Sequence, residues 1–261
     1  MFRKQISLAA VVLAILSSLA IITPVTAETY GDALLAYNNG DLTTALRLYR
    51  VLAERGDIRA QQGLGRMYAR GEGTERDTSE ASKWFRKASE QRNGLTAYNT
   101  GDFAAAMRVF QPLADQGQVL GEYIVGMMYA NGQGVPENYS EALKWLKKAA
   151  DQGESKAQFN VGLIYFKGLG TSKDYAEASK WYQRSADQGN TTAQFNLGMM
   201  YSRGQGVQQN YVTAYVLLDL AAGKGTKAAG DARDNLARSM NASQLAEGQK
   251  LAHDWKPKSE L

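Results

Sequence analysis

The sequence predicts an all-α protein made of stacked helix pairs, not one globular core. Three observations predict it. The stretch Ala157-Gln158-Phe159-Asn160-Val161-Gly162-Leu163-Ile164-Tyr165 returns thirty-six positions later as Ala193-Gln194-Phe195-Asn196-Leu197-Gly198-Met199-Met200-Tyr201, and looser copies begin at Ala60 and Gly121. A Gly-x-Gly element follows each copy, at Gly71/Gly73, Gly132/Gly134, Gly168/Gly170 and Gly204/Gly206. Asp-Gln-Gly closes units at Asp151-Gln152-Gly153 and Asp187-Gln188-Gly189. A period of this length marks supersecondary units that bury their apolar faces only against neighbouring units.

Taken in order, residues 1–27 read as an export signal. Arg3 and Lys4 precede an apolar run from Ile6 to Ile22, and Val25 and Ala27 are small residues placed for cleavage after Ala27. The run of seventeen residues reaches the lower limit of a membrane span, so an uncleaved anchor is the alternative. Residues 28–225 hold the repeats. Ala36-Tyr37-Asn38-Asn39-Gly40-Asp41-Leu42 resembles Ala97-Tyr98-Asn99-Thr100-Gly101-Asp102-Phe103, sixty-one positions on. Residues of roughly 34–90 and 95–151 are therefore a tandem duplication of a short-plus-long pair; at the Gln91-Arg92-Asn93-Gly94 seam a tight turn is expected because Asn-Gly is a turn dipeptide, the alternative being that the two flanking helices run nearly together there.

Two further long units follow, at about 154–189 and 190–225. In each, the first helix repeats apolar and small residues with the spacing of Ala157, Val161, Gly162 and Tyr165. The second repeats Tyr175, Ala178, Trp181 and Tyr182, a period near 3.6. Small residues let the paired helices approach, and Tyr165 and Trp181 fill the space between units. Residues 226–256 are expected to cap the open end, with Asn241 and Gln244 opening a last helix whose Leu245, Leu251 and Trp255 cover the stack. Residues 257–261 are expected to be a disordered tail.

Composition narrows the function. The chain has 261 residues, no cysteine and a formal charge of +4, which falls to +2 without Arg3 and Lys4. A near-balanced charge argues against nucleic-acid binding, which needs a concentrated basic face. Without disulfides, stability rests on stacking.

These residues together resemble the Sel1-like repeats, a subclass of the tetratricopeptide-like helical repeats. The pattern is Ala-x-x-x-Leu/Val-Gly-x-x-Tyr, Gly-x-Gly, then Tyr, Ala and Trp, then Ala-Asp-Gln-Gly. It covers most of residues 34–225. The resemblance implies a right-handed α-solenoid that binds other proteins. It also implies that the trailing positions of each first helix line a concave groove. That places Tyr123, Phe159 and Phe195 in one row with Gln62. Met127, Leu163 and Met199 form the next with Arg66. Lys167 and Arg203 border them with Arg70 and Asn131, and Phe166 lies beside. An apolar strip with a basic border suits an extended or helical peptide. The competing reading makes Phe159 and Phe195 ordinary core and the basic row a solvated rim.

No element carries chemistry. Each Gly-x-Gly follows a helix, whereas a phosphate cradle follows a strand and opens a helix. His253 is the only histidine. The usual zinc ligand sets are lacking, so neither metal nor cofactor is expected. The resulting expectation is an exported, non-catalytic scaffold for a protein or peptide partner, in contact with membrane only through an uncleaved N-terminal segment. The alternatives are an envelope enzyme acting on cell wall or β-lactams, or a structural component of an envelope machine held through its convex face.

Overall fold

The computed structural model describes residues 29–257, so the export segment and residues 258–261 lie outside the described residues. Among the described residues are thirteen α-helices and no strand. α1 (Tyr30–Asn38) and α2 (Leu42–Glu54) form a short pair, and α3 (Ile58–Arg70) begins the first long pair. α4 (Thr78–Thr100) is followed by α5 (Phe103–Asp115). Three long pairs come next: α6 (Val119–Asn131) with α7 (Tyr139–Asp151), α8 (Ser155–Lys167) with α9 (Tyr175–Asp187), and α10 (Thr191–Arg203) with α11 (Tyr211–Gly223). α12 (Lys227–Ala237) and α13 (Ala242–Asp254) close the chain. From α1 to α12 each helix packs on the next, and α13 folds back onto α11. The result is an α-solenoid.

The glycines explain the repeat. Gly71, Gly132, Gly168 and Gly204 end the first helices in the left-handed region, which a side chain resists. The second glycine of each Gly-x-Gly also has positive φ. It sits on the start of the preceding unit's second helix: a Cβ on Gly206 would stand 2.3 Å from the Tyr175 backbone, and one on Gly73 2.6 Å from the Leu42 carbonyl oxygen. This space is filled by protein, not by a phosphate. The next helix is then started by Asp77, Asn138, Asp174 or Asn210, each accepting backbone N–H groups of the first turn.

A third glycine column sits inside the first helices. A Cβ on Gly126 would lie 2.8 Å from Leu146, one on Gly162 2.7 Å from Tyr182, and one on Gly198 3.0 Å from Leu218. The paired helices therefore approach at these points. Ala157 and Ala178 are fully buried, and Trp181 packs into the cluster of the preceding unit. Its indole N–H donates to Glu177 Oε1 at 3.0 Å, which satisfies the one polar atom of a buried ring.

At the seam the alternative holds and the expected turn does not. Residues 91–94 form no turn, and α4 runs through them without a break for 23 residues. The cause is visible sixty-one positions along. Arg92 stands where Gly153 has its positive φ, so the left-handed stop is missing. Glu90 stands where Thr29 caps α1 with a capping box, so the start is missing too. Gly94 serves packing instead: its absent Cβ leaves room for Val109, which one would meet at 2.7 Å.

The cap also differs in detail. Asn241 and Gln244 form the capping box. However, the face of α13 turned inward carries Gly248 and Ala252, while Leu251 is 47% exposed and Leu245 and Trp255 are only half-buried. The small residues win because α13 lies close to Tyr215, whose ring a Cβ on Gly248 would meet at 2.9 Å. Beyond α13 the chain turns back, and Pro257 and Trp255 reach the neighbourhood of Gly189.

Candidate functional site

The face built by the first helices is best read along α8. Ala157, Gln158, Val161, Gly162 and Ile164 are buried against neighbouring helices. Phe159, Leu163 and Phe166 are half-buried, and Lys156 and Lys167 are exposed. The pattern repeats on α6, with Tyr123 and Met127 half-buried, and on α10, with Phe195 and Met199 half-buried and Arg203 exposed. Met127, Leu163 and Met199 thus occupy one equivalent, part-exposed position on three first helices of successive long units.

The aromatic row has a second duty. Phe159 stacks on Tyr182 with centroids 5.7 Å apart and planes at 29°. Phe166 lies 5.1 Å from Tyr175 and 6.3 Å from Tyr182. Tyr182 is fully buried, and that burial pushes its hydroxyl up to about 12. Phe159 and Phe166 are therefore brought together as the wall of this ring as well as half-open surface. Tyr123 packs against the clusters on both sides of α6, and burial raises its hydroxyl above the usual range. Lys167 and Arg203 close α8 and α10, where a cation complements the carbonyl end of the helix.

Below this surface runs a row of buried amides. Gln61, Gln158 and Gln194 each donate to the carbonyl eight residues back, on Ala53, Ala150 and Ala186, at 3.1–3.2 Å. Gln188 donates to Gln158 Oε1 at 2.8 Å and to the Gly153 carbonyl at 3.0 Å, tying one unit to the next. Gln152 makes the equivalent bonds to Glu122 and Gly117. Glu122 is the exception in the glutamine column. It is 3% exposed, and burial raises its pKa above the ordinary 4.5, opposed by the hydrogen bond from Gln152 and the charge of Lys148.

The repeat pattern gives no sign of one feature of the seam. A cavity of about 510 Å³ opens at the seam, reaching from Leu52 and Ile58 across Leu95 of α4 to Leu120 and Tyr123 of α6. Only Tyr123 among the expected contact residues lines it. The missing glycine at position 92 was the available signal, because it carries α4 past the junction and sets Leu95 there.

Arg233 is held by Asp219 and Asp234, each at 2.7 Å, and His253 is exposed on α13. Among the described residues, no group of three or more His, Asp or Glu side chains is arranged to hold a metal ion, and no helix is long and apolar enough to cross a membrane.

Comparison with known proteins matches this architecture. The Sel1 repeat model matches residues 58–93, 119–154, 155–190 and 191–226, more than half of the chain. A Sel1 repeat protein from Oxalobacter formigenes is 33% identical, with a TM-score of 0.47 over 50% of this chain and 98% of its own. A protective antigen of uropathogenic Escherichia coli with an SLR fold is 25% identical, with a TM-score of 0.48 over 86% of this chain. The present chain spans 60% of that antigen's length. A Sel1 repeat protein from Klebsiella pneumoniae is 22% identical, with a TM-score of 0.41 over 72% of this chain and 97% of its own. No curated protein shows significant similarity. Sel1 repeat proteins are generally protein-interaction scaffolds without catalytic activity. With its glycine columns, its caps and four matched repeats, the chain belongs to the Sel1 repeat family.

Proposed function

We propose that this chain is an exported, non-catalytic scaffold that holds a partner protein or peptide on its concave face. One observation carries the reading: Leu163 and Met199 are part-exposed, in register on successive long units and outside the packed clusters, and Met127 holds the equivalent part-exposed position while resting against the core of its unit. Tyr123, Phe159, Phe166 and Phe195 form the ground beneath them, and Lys167 and Arg203 supply a cationic border. A partner laid along the stack meets one apolar contact per unit, which suits an extended or helical segment. Cleavage after Ala27 delivers the repeats outside the cytoplasm.

The test is a double variant, Leu163→Asp with Met199→Asp, compared with the parent in retaining partner proteins from an envelope fraction. The expected loss is roughly 2 kcal/mol or more, as for anchor residues. Far-UV circular dichroism must show both proteins folded. Undiminished retention by a folded double variant removes the concave strip as the site. Mass spectrometry of protein from the envelope fraction checks export, and a mass that includes residues 1–27 refutes cleavage.

A further inference from the structure

We propose that the cavity at the seam is an anchor pocket for a partner's peptide segment that carries a large apolar side chain flanked by carboxylates. This rests on the reading of the chain as an interaction scaffold, and it fixes where and by what chemistry the partner is recognised. The floor is apolar: Leu52, Ile58, Leu95, Leu120 and the ring of Tyr123. Its volume of about 510 Å³ lies in the range of sites that enclose a bound group, ~300–1,000 Å³. Such a space admits one bulky side chain and leaves the flanking peptide on the rim.

The rim decides the charge of that peptide. Five ionisable side chains surround the mouth: Arg55, Arg59, Lys156, Asp57 and Glu154. The two acids also cap helices, and Glu154 lies close enough to the floor for its charge to act on Tyr123. Asp57 caps α3 by accepting from the Arg59 and Ala60 backbone N–H groups at 2.8 and 2.9 Å. Glu154 caps α8 by accepting from the Lys156 backbone N–H at 3.2 Å. Each carboxylate thus faces the positive end of its own helix, which offsets its charge. Arg59 is shared between Asp57, at 3.2 Å, and the ring of Tyr30, 4.4 Å from its guanidinium carbon. Arg55 and Lys156 are exposed and have no acidic partner among the described residues. The mouth therefore holds three cations against two helix-capping acids, a net positive charge, with the unpaired Arg55 and Lys156 beside the apolar floor.

The start of α6 adds to it. Gln118 stands where Asp57, Glu154 and Asn190 cap the other first helices, yet its side chain makes no capping bond. Its Oε1 instead accepts from Gln91 Nε2 at 3.2 Å. Val119 and Leu120, the first residues of α6, line the cavity. The positive end of α6 is left open on the same space that Arg55 and Lys156 border. An acidic residue beside the anchor meets all three.

The test is a selection of phage-displayed random dodecapeptides on the whole protein, counter-selected on the Arg55→Glu/Lys156→Glu double variant. Both substitutions are at exposed positions; a glutamate in the first turn of α8 favours that helix, one at the C-cap of α2 mildly disfavours that one, and far-UV circular dichroism must show the double variant folded. The expected sequences combine Trp, Phe or Leu with Asp or Glu within a few positions. A labelled synthetic peptide of the leading sequence is expected to bind the double variant at least tenfold more weakly at low salt. That loss shrinks as salt rises, because rim charges are screened.

Enriched sequences without acidic residues, or none enriched over the double variant, overturn the proposal. Binding that survives Arg55→Glu/Lys156→Glu and is lost with Leu163→Asp/Met199→Asp overturns the pocket and keeps the scaffold reading. Binding indifferent to both pairs overturns both. Capture of phosphatidylglycerol vesicles that is lost in the double variant, with no peptide enriched, assigns the rim to a lipid headgroup instead and also overturns it.

Discussion

Glu122→Gln is expected to stabilise the protein, and by an amount that depends on pH. Glu122 is the only acid in a column otherwise occupied by Gln61, Gln158 and Gln194. At each glutamine the amide N–H reaches the carbonyl eight residues back. In the Gln158 unit the amide oxygen also accepts from Gln188 at 2.8 Å. An ionised Glu122 only accepts, from Gln152 at 2.7 Å, and has no N–H for the Ala114 carbonyl. The substitution keeps the accepted bond and adds a donated one, worth about 1 kcal/mol. For a chain of this size that raises Tm by about 2–4 °C.

The sign of the pH dependence follows from burial. The folded pKa of Glu122 is raised, so its contribution is fully present below the ordinary carboxylate pKa and is lost as pH rises through the folded value. The advantage of Glu122→Gln should therefore be larger near pH ~8 than near pH ~4.5, where a protonated Glu122 can itself donate. Thermal melts followed by far-UV circular dichroism at the two pH values measure it. A gap that does not change with pH, or a parent that is the more stable protein near pH ~8, refutes the argument.

Two further outcomes follow from the packing. Gly162→Val should destabilise by about 1–3 kcal/mol, since a Cβ there already meets fully buried Tyr182 at 2.7 Å. Gly65→Ala, whose Cβ would meet Phe85 at 2.9 Å, should cost far less because Phe85 is 39% exposed and free to swing aside. Equal Tm losses in the two variants contradict this reading of the column. Removing residues 226–261 should uncover Tyr215 and Ala222 of α11, which face Gly248 and Gly230, and produce aggregates in size-exclusion chromatography, whereas a monomeric, cooperatively melting product shows that α12 and α13 do not cap the stack.

Much of the fold was legible because the sequence repeats the residues that backbone geometry cannot replace. Gly71, Gly132, Gly168 and Gly204 mark helix ends by conformation, and Asp77, Asn138, Asp174 and Asn210 mark the following starts by hydrogen bonding. At the seam Asn93-Gly94 favours a turn over a continuous helix, yet it is a turn signal only when the flanking residues permit a stop. Gly94 is in fact a packing residue, and only comparison with Gly153 shows what Arg92 lacks. The cap was legible at its hydrogen-bonded start and not on its inner face, where closeness to Tyr215 favours Gly248 over Leu251. On the candidate face, periodicity placed Phe159 and Leu163 on one side of α8. It carries no information on how far Tyr182 draws Phe159 inward, since that depends on a contact with another helix.

The seam also explains why the large cavity lies where it does. At the regular junctions, Gln152 and Gln188 reach back to a glycine carbonyl and to the buried Glu122 or Gln158 of the unit before. The corresponding residue at the seam is Gln91, which belongs to a helix that does not stop. Its amide turns to Gln118 instead. Two buried acceptors, Gln61 Oε1 and Gln91 Oε1, are left without a protein partner there. Gln118 crowds Gly56 on the side of the larger cavity, 2.9 Å from where a Cβ would stand, and with Gln91 it also lines a second cavity of about 350 Å³. A single pair of amides thus separates two openings where the other junctions are stitched shut. Losing one glycine lengthens one helix, diverts one glutamine, and leaves the junction between the duplicated halves less filled and less satisfied than the rest. An unfilled apolar junction is costly in a stack that relies on nearest-neighbour contacts. Burial of a partner's side chain there would recover contacts that the seam itself does not supply.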